Sequence, residues 1–239
     1  MKPSKLLAAA VAAGALTIGI GTVTVGTASA QPATTADRTR DLTAEKARCT
    51  AAIDVRLAEL TKVSATLNAA KNVTDAHKST QTASLNAASS GLATLKTKIA
   101  ADPDAATLKT DCEAIFAGYR VFALRAPQTH LVIAGDLETY TTNRVSGVVP
   151  KLSDAITKAA AAGKNVDAAK TALADLQAKL AAATTQAGGV ADSVIGYVPA
   201  DYNANHDLLN GARTQVKTAA ADLKAARSDI KTIAAAVKA

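Results

Sequence analysis

Tryptophan is absent from this 239-residue chain, and phenylalanine and tyrosine together number only six. So few rings argue against sugar recognition by ring stacking and against a stacking platform for single-stranded nucleic acid. The 13 glycines and six prolines are few and clustered, and no sustained period-two stretch is present, which argues against a sheet. Catalytic signatures are missing as well. The chain contains no G-x-S-x-G, no phosphate-loop motif and no H-E-x-x-H. Its three histidines, His77, His130 and His206, are scattered one per region, and glutamate occurs only four times. Asp111 and Glu113 stand two apart and point to different faces of a helix. The composition therefore points away from an enzyme, a cofactor or a metal centre.

What is present begins with an export signal. Lys2 and Lys5 precede an apolar run from Leu6 to Val25, closed by Ala28-Ser29-Ala30 ahead of Gln31-Pro32. A basic start, an apolar stretch and a small-x-small site are what signal peptidase reads. The run is about as long as a bilayer is thick, so the competing account is an uncleaved anchor. Thr17, Thr22 and Thr24 weaken that account. Residues 1–30 are expected to be removed by the general secretory route, since no arginine pair precedes the run. No second apolar span follows, so no stable membrane span is expected after cleavage. The destination is the cell envelope or the medium. Cleavage lowers the formal charge from +7 to +5, because Lys2 and Lys5 leave with the signal.

The remainder reads as helices. Residues 31–41 are polar and unpatterned, a flexible leader. A first helix over 42–70 carries Cys49, Ile53, Leu57, Leu60, Val63 and Leu67 on one stripe, with Asp41 as its N-cap. Thr74 caps a second helix whose stripe is Leu85, Ala88, Leu92, Leu95 and Ile99. Asp102-Pro103-Asp104 stops it and starts a third, with Leu108, Cys112, Ile115, Tyr119 and Phe122. Pro127 interrupts that pattern. A helix from 127 to 162 is expected next, kinked near Gly147–Pro150; Leu131–Gly135 is the one place where a short strand competes. Asn165 caps a helix reaching Val194, residues 196–205 form a loop, and a last helix runs through Val237. The last two stripes keep three-four spacing over several heptads, a coiled-coil type of seam with alanine at many positions.

The fold class is thus all-α: an elongated antiparallel bundle of two three-helix units, 42–126 and 127–239, joined by a kinked helix. The alternative is one compact bundle folded at Pro127. Counting along the helices places Cys49 and Cys112 about 10–12 Å from the same end, at a 1.5 Å rise per residue. Equal height and facing stripes predict a disulfide in an oxidising compartment. A redox-active pair is disfavoured, since there is no C-x-x-C spacing.

Three surface patterns remain. Lys217, Lys224, Lys231 and Lys238 recur every seven residues on the last helix, away from the seam. The plain account is solubility; the functional one is contact with an anionic cell-wall polymer or an acidic face. Phe116, Tyr119 and Phe122 cluster near Arg120, Arg125 and His130. The plain account is local core beside Pro127. The functional one is a partner surface, or a small-ligand or metal carrier site between helices over Tyr119–His130. Asp201, Asn203, Asn205 and Asp207 alternate like the start of a calcium loop, but His206 and Ala212 stand where such loops need Gly and Glu. Capping of the last helix explains them better.

The export signal, the alanine-rich composition and the stretches Tyr119-Arg120-Val121-Phe122-Ala123-Leu124, Pro127-Gln128-Thr129-His130-Leu131-Val132 and Pro199-Ala200-Asp201-Tyr202-Asn203-Ala204-Asn205 resemble a group of alanine-rich secreted proteins of high-GC Gram-positive bacteria. That resemblance implies an exported, helical, envelope-associated protein and brings no activity with it. The expected function is therefore non-enzymatic: binding or scaffolding at the envelope through a mildly basic surface, with an anionic wall polymer or an envelope protein as partner.

Overall fold

A computed structural model describes residues 35–238, and every secondary-structure element among them is helical. The signal at 1–30 and the start of the leader lie outside the described residues. Nine α-helices follow in order: α1 Thr35–Ala69, α2 Asp75–Ala101, α3 Ala105–Ala117, α4 Ala126–Ser146, α5 Val149–Ala161, α6 Asp167–Ala187, α7 Val190–Ile195, α8 Pro199–Ala204 and α9 Asn210–Lys238. A single π-helical turn, Val121–Arg125, leads into α4.

Several boundaries differ from the sequence expectation, each for a local reason. Helix α1 begins at Thr35, six residues before the expected cap at Asp41, so residues 35–41 are helical rather than leader. The third helix ends at Ala117, not 126. Gly118 closes it, and Arg120 takes a left-handed backbone conformation at φ 45°. The chain then re-enters helix through the wide turn, in which Ala126 N–H reaches the Val121 carbonyl. That turn precedes Pro127, which has no N–H to give, so proline sits in the first turn of α4 instead of breaking a helix there. The expected kink near Gly147–Pro150 is a full break at 147–148 between α4 and α5, with Pro150 in the first turn of α5. Leu131–Gly135 lies inside α4. The long helix expected to reach Val194 is interrupted at Gly188–Gly189, where Gly189 has φ 79°. The expected loop at 196–205 contains the short helix α8.

Two apolar cores result, and residues on both sides of Pro127 build the first. It holds the stripes of α1, α2 and α3 together with Leu131 and Val132 of α4, Val190, Ala191 and Val194 of α7, and Leu209 and Ala212. The second is the α6–α9 seam closed by α5. Ala169, Ala172, Leu176, Leu180, Ala183 and Ala187 face Ala219, Leu223, Ala226 and Ile233. Each alanine removes little apolar area from water, so the length of the helices supplies the burial. Lys179 of α6 meets Asp229 of α9 across the edge of this seam at 2.7 Å.

Three helix C-termini are closed by lysines from elsewhere in the chain. Lys46 Nζ donates to the Ala100 carbonyl of α2 at 2.9 Å, Lys78 Nζ to those of Asn68 and Ala70 beside the end of α1, and Lys164 Nζ to those of Val237 and Lys238 of α9. A cation there meets both the unpaired carbonyls and the negative end of the helix dipole.

Candidate functional site

The last helix presents the clearest surface feature. Lys217, Lys224, Lys231 and Lys238 are all exposed, and none of them joins an ion pair among the described residues. They span 21 residues, about 32 Å of helix at a 1.5 Å rise. At 3.6 residues per turn they lie on one flank of the seam, and the only two acids of α9, Asp222 and Asp229, lie on the other. Asp229 is spent on Lys179, and Asp222 is half-buried. Arg213 and Arg227 are exposed beside the lysines. The flank is therefore uniformly cationic, although the helix as a whole carries both signs.

The segment Tyr119–His130 is divided rather than assembled. Arg120 Nε donates to Asn203 Oδ1 of α8, and its guanidinium lies over the Tyr202 ring at 5.6 Å. Arg125 points inward. Its Nη1 donates to Ser84 Oγ at 2.7 Å and to the Tyr197 carbonyl at 3.2 Å, and burial lowers its pKa. His130 is exposed. Gln128 is fully buried, and its amide donates to the carbonyls of Val194, Ile195 and Tyr197, closing the C-terminal end of α7. Arg120 and Arg125, expected to receive a ligand here, are bound instead to Asn203, Ser84 and the Tyr197 carbonyl.

The local-core account of the aromatic cluster fails for two of its three members. Phe116 and Phe122 are the only phenylalanines of the chain, and they are 50% and 49% exposed. Both lie against Arg56 of α1, whose guanidinium is 4.3 Å from one ring centroid and 5.6 Å from the other. Tyr119 alone turns inward, onto Gly91 of α2.

A second cluster had no sequence signal. His77, in the first turn of α2, places Nδ1 2.9 Å from Asp136 Oδ2 of α4 and Nε2 3.0 Å from Asp192 Oδ1 of α7. Asp136 also accepts the Thr74 N–H at 2.9 Å. Burial draws the ring toward its neutral form, but the hydrogen bonds to Asp136 and Asp192 outweigh it and raise the pKa. Both ring nitrogens are committed to carboxylates, so the group braces three helices and offers neither nitrogen to a substrate proton. These residues are 59 and 115 positions apart, beyond any spacing rule. Two residues beyond Asp136, the buried Glu138 leaves Oε2 without a partner, and desolvation raises its pKa to about 7.

Cys49 and Cys112 form a disulfide with Cα atoms 5.6 Å apart. It lines a groove of about 1030 Å³ between α1 and α3. The Asp201–Asp207 segment caps and turns. Asp201 accepts the Val198 N–H, Asn205 the Asp207 N–H, and Asp207 the Asn210 amide. Among the described residues no helix is long and apolar enough to cross a membrane. Comparison with protein-family models, with curated proteins and with solved structures finds no match.

Proposed function

We propose that the chain is exported and acts at the cell envelope as a non-enzymatic binding protein, holding an anionic wall polymer along the outer flank of α9. The observation that carries this reading is the separation of charge on that helix: four unpaired lysines on one side of the seam, both acids on the other. A polyanion meeting such a flank releases counterions without displacing any protein carboxylate, which makes the attraction additive along the line. A membrane surface fits less well, because the apolar face of α9 is buried against α6 and has nothing to insert between lipids. Single-stranded nucleic acid fits less well too, since no ring interleaves with the lysines for its bases to stack on. The Cys49–Cys112 bond supports an oxidising destination.

Sedimentation of the purified mature protein with isolated Gram-positive cell walls tests this. Co-sedimentation that falls steeply between about 50 and 200 mM salt is expected. Replacing Lys217, Lys224, Lys231 and Lys238 together by Gln is expected to abolish most of it. Binding that ignores salt, or a quadruple variant that sediments like wild type, overturns the reading.

A further inference from the structure

The groove between α1 and α3 is built differently from the basic flank of α9. Its floor is apolar: Leu42 and Ala52 from α1, Leu108 and Phe116 from α3, and the Cys49–Cys112 bond between them. From Ala105 to Phe116 it follows α3 for about 16 Å, at a 1.5 Å rise per residue. A trough of that length accommodates an extended acyl-type chain lying along the disulfide.

The charges around it are mostly spent. Glu45 pairs with Arg48 at 3.1 Å, and Asp104 takes the N–H groups of Ala106 and Thr107. Lys109 and Glu113 face each other at 3.9 Å. Arg38, exposed near the start of α1, lines the groove and joins no ion pair among the described residues, and Arg56 toward the other end joins none either. Arg56 lies just beyond the groove lining, against Phe116; its Nη1 donates to the Ala52 carbonyl at 2.8 Å, and its guanidinium lies 4.3 Å from the Phe116 ring centroid and 5.6 Å from that of Phe122. No carboxylate pairs with it among the described residues. Stacking fixes the guanidinium plane and leaves most of its N–H donors for a ligand oxyanion. Two half-exposed phenylalanines in a chain with no others cost solvation unless something covers them.

We propose that this groove binds a free single-chain amphiphile with an acidic head, its tail along the disulfide and its carboxylate on Arg56. Tail burial supplies the affinity, and the ring-stacked Arg56, rather than the exposed Arg38 toward the start of α1, sets the direction.

Sodium dodecanoate, below its micellar concentration, is the probe, titrated calorimetrically into the oxidised mature chain. Saturable 1:1 binding is expected, with hexanoate and dodecyltrimethylammonium each at least about tenfold weaker. Arg56→Gln should lose about tenfold for dodecanoate and leave dodecyltrimethylammonium unchanged, with helix content by circular dichroism as the folding check. A readout without substitution guards against a misfolded variant: saturating dodecanoate should slow reduction of Cys49–Cys112 by a phosphine several-fold. Absent or non-saturable binding overturns the proposal. So do equal affinity for the cationic amphiphile, binding to lipid vesicles alone, an unaffected Arg56→Gln, or an unchanged rate of disulfide reduction.

Discussion

Cys49 and Cys112 join α1 to α3 across a sequence separation of 63, with α2 enclosed in the loop. Cross-linking a loop of that length removes enough unfolded-chain entropy to contribute about 4 kcal/mol in the chain-entropy account. The double variant Cys49→Ala/Cys112→Ala is expected to lose most of that. Urea denaturation followed by circular dichroism checks it: the midpoint should fall well below that of the oxidised protein, while the α6–α9 seam keeps residual helix. An unchanged midpoint would show that the disulfide constrains nothing the helices do not already hold.

Glu138 sets a pH dependence. Its pKa rises from an ordinary 4.5 to about 7 because burial disfavours the carboxylate. The folded chain therefore holds this proton more tightly than the unfolded one. Stability is full below about pH 4.5, declines as pH rises toward 7, and stays reduced above. Glu138→Gln removes the ionisable group from a site 8% exposed. It should match wild type near pH 4 and exceed it at pH 8 by on the order of 2 kcal/mol. Paired urea titrations at the two pH values decide this, and a gain of equal size at both would contradict it.

His77 acts in the same direction over a higher window. Its pKa is raised, so the protonated ring stabilises the fold below 6.5, and that contribution disappears as pH climbs through the folded value. Asp192→Asn should reduce the shift and loosen α7, whose N-terminal turn the brace holds to α2. Hydrogen exchange of the amides over 190–195 is the measurement. Faster exchange at pH 6 than in wild type is expected, with the difference shrinking by pH 8.5.

Gly91 and Tyr119 are coupled by contact. A Cβ on Gly91 would stand 2.7 Å from both Cε1 and the hydroxyl oxygen of Tyr119. Alanine gains about 1 kcal/mol over glycine inside a helix, whereas overpacking of this kind costs about 1–3 kcal/mol. Gly91→Ala should therefore destabilise by roughly 1 kcal/mol in the native background. In a Tyr119→Ala background the same change should stabilise. A double-mutant cycle on chemical denaturation reads the reversal directly.

Much of the helical core is legible from spacing because the helical period is a local property. The stripes Leu85, Ala88, Leu92, Leu95, Ile99 and Ile53, Leu60, Val63, Leu67 are buried as the three-four rhythm predicts. Cys49 and Cys112 meet because a rise of 1.5 Å per residue and two reversals place them at one height. The aromatic cluster misleads for a physical reason. Phe122 continues the α3 stripe only while the chain stays helical, and Arg120 turns left-handed two residues before it. Arginine carries no sequence signal for that conformation, as glycine does at position 189.

The all-helical class, the seams, the cysteine pairing and the lysine line on α9 are determined by the sequence alone, since each follows from periodicity along one helix or from chain length between stops. Tertiary structure alone decided the His77–Asp136–Asp192 brace, the unpartnered Glu138, the clasp of Phe116 and Phe122 on Arg56, and the groove over the disulfide. Those contacts join side chains tens of residues apart, and whether a polar group meets a partner, a ring or nothing depends on how whole helices pack.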